Sequence, residues 1–199
     1  DICFDGNGYS EEWRAEAQKR GLDCESSVPK AFDAFTTKRT VQVFKDAGVL
    51  SEVELKARNE VFWEIYSKKV EIEARTISDM AYNHILPVAM SYQSKLLDNV
   101  FKIKELYSEK EFKQLAANEL EQIKQISEAM AAARSLADGL DEACDRYHGM
   151  DDARKQAVAF HDDVAPKIEA IREHLDTLEM IIDDQIWPMP KYRELMFIS

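Results

Sequence analysis

Apolar residues recur at spacings of three and four through most of this 199-residue chain, the period of an amphipathic helix. Short elements come first. Ser10 stands before Glu11 and Glu12 as an N-cap, with Gly21 as the stop. Asp23 to Pro29 reads as a turn-rich stretch, Lys30 to Phe35 as a short helix, and Thr37 as the cap of another ending near Gly48. From Ser51 the scale changes. Ser51-x-x-Glu54 is a capping box, and no strong stop follows until about Tyr107, which predicts one very long helix. Pro87 sits inside it and cannot donate to Asn83, so a kink is expected there. Around and beyond that proline, Ile85, Ala89, Tyr92, Leu96, Val100 and Ile103 form an apolar stripe with one face buried.

A second capping box, Ser108-x-x-Glu111, opens the next helix. In it Ile123, Met130, Ala137 and Cys144 alternate with Ile126, Ala133, Leu140 and Tyr147 in two seven-residue series, coiled-coil spacing. Ala133, Ala137 and Gly139 are small enough to let a neighbour approach closely. The break at His148 to Asp151 is short and favours an antiparallel return. The returning helix, from about Asp152 to Ile186, carries Val164, Ile168, Ile171, Leu175, Leu178 and Ile182, with a bend expected at Pro166. Each arm of this hairpin would be roughly 50 to 60 Å long, and it either packs along the long helix or projects from the body of a larger parent protein. The pattern thus predicts a mainly α fold: short N-terminal helices, then a long kinked helix and an antiparallel helical hairpin, an elongated helical bundle.

Composition supports the helices: 32% charged residues with only six glycines and five prolines. The net charge of -12 argues against nucleic-acid binding, which needs clustered Lys and Arg. Cys3, Cys24 and Cys144 are odd in number and irregularly spaced, which fits reduced thiols in a cytoplasmic protein. No apolar run approaches the ~20 residues of a membrane span, so no membrane partner is expected.

Chemistry-bearing patterns are sparse. His84, His148, His161 and His174 are scattered, and Asp145-x-x-His148 alone does not make a di-iron motif. His161 falls on the buried stripe as a satisfied core or edge histidine. Asp5-Gly6-Asn7-Gly8 lacks the spacing and the lysine of a phosphate loop and reads as a turn. Asp162 with Asp163, and Asp183 with Asp184, point about 100° apart on a helix and read as solvated faces. Asp79 is expected to face a neighbour in a salt bridge or hydrogen bond. Pro188 is expected to end the last helix, leaving a short apolar tail from Tyr192 to Phe197 that folds over its own core or docks on another subunit. Asp1 to Phe4 reads as the end of a buried strand whose mates lie upstream, in an excised or processed chain.

Four strings, in order along the chain, carry a family resemblance. Asn7-Gly8-Tyr9-Ser10-Glu11-Glu12-Trp13, Val70 through Met80, Ile85-Leu86-Pro87-Val88-Ala89, and Ile186-Trp187-Pro188-Met189-Pro190-Lys191-Tyr192 together resemble the C-terminal part of type III glutamine synthetases. The stretch from Ser27 to Ser51 is similar to the C-terminal helices of glutamine synthetases generally. The resemblance implies a large ring-forming enzyme that joins ammonia to glutamate through a γ-glutamyl phosphate made from ATP, with divalent magnesium or manganese. Its catalytic segments precede the part seen here, so no catalytic, cofactor-binding or metal residue is assigned, no cofactor is expected in this fragment, and the fragment alone is expected to be inactive. Residues 1–50 would then end the catalytic domain and 51–199 form a C-terminal helical domain with a structural and assembly role. The partners implied are the missing catalytic domain of the same chain and further copies in a homo-oligomer. The alternative is a stand-alone, coiled-coil-like interaction module.

Overall fold

The computed structural model describes residues 5–197, and among them every regular element is helical. Asp1 to Phe4, expected as a strand, lie outside the described residues. The chain divides into two compact units, Asp1–Tyr66 and Ser67–Ser199.

The first unit holds α1 (Glu11–Lys19), α2 (Val28–Ala31), a 3-10 turn (Phe32–Thr36), α3 (Lys38–Asp46) and the start of α4 (Glu52–Met80). Ser10 accepts from the Trp13 amide, and Thr37 from that of Thr40, so both expected caps form. Gly21 and Gly48 close α1 and α3 with φ of 70° and 66°. Each helix end is a Schellman pair of backbone bonds, such as Leu22 N–H to Ala17 O with Gly21 N–H to Gln18 O. The apolar centre is aromatic. Phe62 of α4 meets Phe32 and Phe35 at centroid distances of 5.5 and 5.3 Å. The Trp63 indole N–H donates to the Pro29 carbonyl at 2.8 Å.

The second unit contains the rest of α4, then α5 (Leu86–Leu106), α6 (Glu109–Leu115), α7 (Ala117–His148), α8 (Ala153–Ala159), α9 (Ala165–Ile181) and α10 (Tyr192–Met196). With the π turn Ala81–Ile85, α4 and α5 make a 55-residue kinked helix. The kink has a clear mechanism. Leu86 donates to Ala81, five residues back, so the turn before Pro87 is widened by one residue. The proline ring avoids the carbonyl it would otherwise crowd, and Pro87 starts regular helix at a first-turn position, where its missing N–H is not needed. Pro166 is treated in the same way. Ala165 donates to Phe160 across the π turn Phe160–Val164, and Pro166 opens α9. Both π turns rest against α7.

Helix α7 is the centre of this unit. It packs on α5 and the first π turn along one side and on α9 and the second π turn along another. Its residues Ile126, Ala133, Ala137, Leu140 and Cys144 have no exposed surface, and they meet fully buried Phe160, Val164, Ile171 and Leu178 of the returning arm or the stripe of α5. The hairpin therefore lies along the second-unit part of the long helix.

Four expectations need correction. The helix opened by Ser108 and Glu111 is not continuous: Ala116, at φ -93° and ψ 3°, separates α6 from α7. Its side chain is fully buried, so packing, with no glycine or proline to signal it, sets the break. That leaves 32 residues in α7, roughly 48 Å at about 1.5 Å per residue, slightly short of the range anticipated. The returning helix ends at Ile181, not at about Ile186. Ile182 is extended at ψ 141°, Asp183 accepts from the Gln185 amide at 3.0 Å to make a turn, and Lys191 Nζ donates to the Glu179 carbonyl at 2.9 Å. A side chain from beyond the proline thus satisfies the last turn of α9. Gly139 does not provide a close approach, because a Cβ built there would meet nothing within 4 Å. Asp79 is exposed and accepts from Asn83 within its own helix; the buried neighbour is Ser78.

These differences between small residues generate two expected outcomes. Gly139→Ala should stabilise the protein by about 0.5–1 kcal/mol, since the site is helical, open and pays glycine's backbone entropy. Ala137→Leu should destabilise it by about 1–3 kcal/mol through overpacking. Urea denaturation of the two variants against the parent chain measures both.

Candidate functional site

The chemistry-bearing side chains of the second unit gather along the seam between the long helix and α7. Glu71 meets His148 Nδ1 at 2.6 Å. Arg75 bonds to Asp145 and lies 3.5 Å from Asp141. The Tyr82 hydroxyl donates to Asp138, Gln93 Nε2 donates to Ser127 Oγ at 2.6 Å and to the Ile123 carbonyl at 3.1 Å, and Asn99 reaches Glu119 at 3.4 Å. Partners climb one helix as they descend the other, which fixes an antiparallel register. Most of these groups are exposed, so each ion pair contributes little to stability. Their value is alignment.

The other arm has its own polar contact. Asp163 accepts from the Tyr147 hydroxyl at 2.9 Å and from Lys167. The Lys167 ammonium, followed by the Tyr147 hydroxyl, holds the Asp163 carboxyl below its ordinary range against the opposing effect of burial. Asp184 pairs with Lys191. Asp163, Asp183 and Asp184 are therefore anchored groups and not merely solvated faces. His161, half-buried, bonds to Asp162 at 2.7 Å, an edge histidine as expected. His84 is exposed, and Asp145 and His148 have separate partners on α4.

No group of three or more His, Cys, Asp or Glu able to hold a metal ion occurs among the described residues. Asp141 and Asp145 converge on a cation already in place, Arg75. No described helix is long and apolar enough to cross a membrane. Among the described residues, buried polar atoms without a hydrogen-bond partner belong to Ser27, Asn59 and Ser78.

What the sequence pattern did not reveal is a groove between α4 and α9. Leu175 and Trp187 form its floor, Ile72, Met80, Ile168 and Met189 its walls, and it encloses about 430 Å³. Trp187, ahead of the expected tail, is only 8% exposed. Leu195, Met196 and Phe197 remain exposed.

This helical scaffold can be set beside known proteins. A family profile, the glutamine synthetase C-terminal domain, matches residues 1–104. The chain belongs to that family. Over 98% of its length this glutamine synthetase C-terminal domain is 43% identical to the glutamine synthetase of Bacteroides fragilis (strain YCH46). It is 29% identical over 99% of its length to the type-3 glutamine synthetase of Dictyostelium discoideum, and 26% over 98% to the glutamine synthetase of Butyrivibrio fibrisolvens. The domain spans 27% of the length of each of these curated relatives. The family profile stops short of α7 to α9, which only the longer matches to relatives cover.

Two groups on the seam give this domain a defined alkaline response. Burial pushes the Cys144 thiol from 9.0 up to about 11. Burial, then the bond to Asp138, pushes the Tyr82 phenol from 10.0 up to about 12. In the unfolded chain both release protons earlier, so the folded state binds more protons through this range and stability falls as pH rises. Urea midpoints should therefore hold to about pH 9 and decline between 9 and 11 as the unfolded thiol ionises. Cys144→Ala should lose the first part of that decline while starting from a lower midpoint.

Proposed function

We propose that this chain is the C-terminal helical region of a type III glutamine synthetase and that its own work is structural. Residues 1–50 complete the catalytic domain, and 51–199 form a helical domain that presents surfaces for assembly. The observation that carries this reading is the match over nearly the whole chain to enzymes almost four times as long, and the helices packed along two sides of α7 support it. ATP and magnesium or manganese then bind in the catalytic part of the polypeptide, where ammonia is joined to glutamate in cytoplasmic nitrogen metabolism.

Assembly into a homo-oligomer is supported by the outer face of α5. Met90, Leu97 and Phe101 are 63%, 42% and 68% exposed at spacings of seven and four, an apolar stripe on one helical face. Such a row of anchors suits a contact with another subunit better than it suits water. The first expected outcome is that purified residues 1–199 make no glutamine from glutamate, ammonia and ATP with magnesium, while the full-length enzyme does. Metal-dependent turnover by the isolated chain overturns the structural role. The second is that Leu97→Asp with Phe101→Asp shifts the full-length enzyme to smaller species in sedimentation without unfolding α5. An unchanged assembly overturns the role assigned to that face.

A further inference from the structure

The groove between α4 and α9 has a floor and walls but no lid. Ile72 is 63% exposed at its edge, and Met80 and Met189 flank it with unbranched, adaptable side chains. A trough between two helices is the geometry that receives one further helix by a row of side chains at spacings of three and four.

Charge selects what that helix must be. Glu73, Glu169 and Glu179 stand on the rim and have no ion-pair partner among the described residues. The rim's arginine, Arg172, lies 3.8 Å from Asp176. Lys191 is occupied with Asp184 and the Glu179 carbonyl and lies over the Trp187 ring. The carboxylates are thus left for an outside cation. A second copy of this chain, at a net charge of -12, brings the same sign of charge. We propose that the groove docks a basic amphipathic helix from a partner protein, its leucine- or methionine-type anchors seated on Leu175 and Trp187 and its Lys or Arg residues paired with Glu73 and Glu169. Complementary charge of this kind speeds encounter and fixes register more than it adds affinity. The docking should therefore weaken as salt is raised.

A fluorescent helical peptide of about fourteen residues, close to four turns, with Leu along one face and Lys on the other, is the probe. Titrated with the 199-residue chain and read by anisotropy, it should bind saturably, whereas the same peptide with Glu in place of Lys should not. Glu73→Lys with Glu169→Lys should weaken binding at least about tenfold, and Ile72→Asp should do the same. Glu105→Lys with Glu142→Lys makes the same change of charge at exposed positions of α5 and α7 outside the groove, and should leave affinity within about twofold. All these positions are exposed, and circular dichroism confirms that each variant folds. The proposal is overturned by absence of saturable binding, by equal binding of the acidic peptide, or by equal loss in both pairs of charge variants. It is also overturned if sedimentation shows a self-associated chain that Ile72→Asp dissociates, since the groove would then belong to a second copy.

Discussion

The close approach of α7 to helices on two sides is the constraint on which the second unit depends. A helix with neighbours on two faces must bury residues on both, and if all of them were large the three axes would be forced apart. Ala129, Ala133, Ala137 and Ala143 solve the spacing, each at most 5% exposed. Ile126 and Leu140 on α7, with Ile171 and Leu178 on α9, supply the apolar area that the alanines lack. Division of labour follows: small residues set the distance, branched residues provide the hydrophobic stabilisation, and the polar seam from Glu71–His148 to Asn99–Glu119 sets the register. Because that seam is largely exposed, loss of one of its pairs should disturb alignment more than stability.

Both long arms that flank α7 contain a proline, and both deal with it by the same widened turn. The π turn ahead of Pro87 and the one ahead of Pro166 each absorb one residue and then restart regular helix. Their side chains Ala81, Ile85, Phe160 and Val164 are at most 1% exposed, so each irregular turn is paid for by burial against α7. A helix that changes direction while staying packed can follow its neighbour over a long contact, which a straight helix of the same length would leave. The function proposed, a scaffold that presents defined surfaces, rests on this continuous packing.

Much of this was legible in the chain. Ser10, Thr37 and Ser51 act as caps for a local reason: each oxygen accepts from the amide three residues on, while at Ser108 the Glu111 carboxylate accepts from the Ser108 amide, and sequence spacing alone determines that reach. The turn after His148 and the two proline irregularities are equally local. What escaped depends on partners far apart in sequence. The break at Ala116 has no glycine or proline and comes from burial. The early end of α9 is stabilised by Lys191, twelve residues beyond the carbonyl it caps. Asp79 and Ser78 exchange roles because one step along a helix turns a side chain by about 100°, more than stripe counting resolves through a π turn. The groove could not be seen because its two walls, Ile72 and Ile168, belong to helices separated by the whole of α5 to α8. The family resemblance was legible from four short strings, and the comparisons extend it across the chain.

Amide hydrogen exchange resolved by residue tests the central place of α7 most directly. If α7 holds the arms together, its amides between Ile126 and Cys144 should be the slowest in the second unit and should open only with global unfolding. Ala137→Leu should then speed exchange in α5 and α9 together. Exchange of α7 faster than that of α9, or a variant that loosens one arm and leaves the other unchanged, would contradict the account.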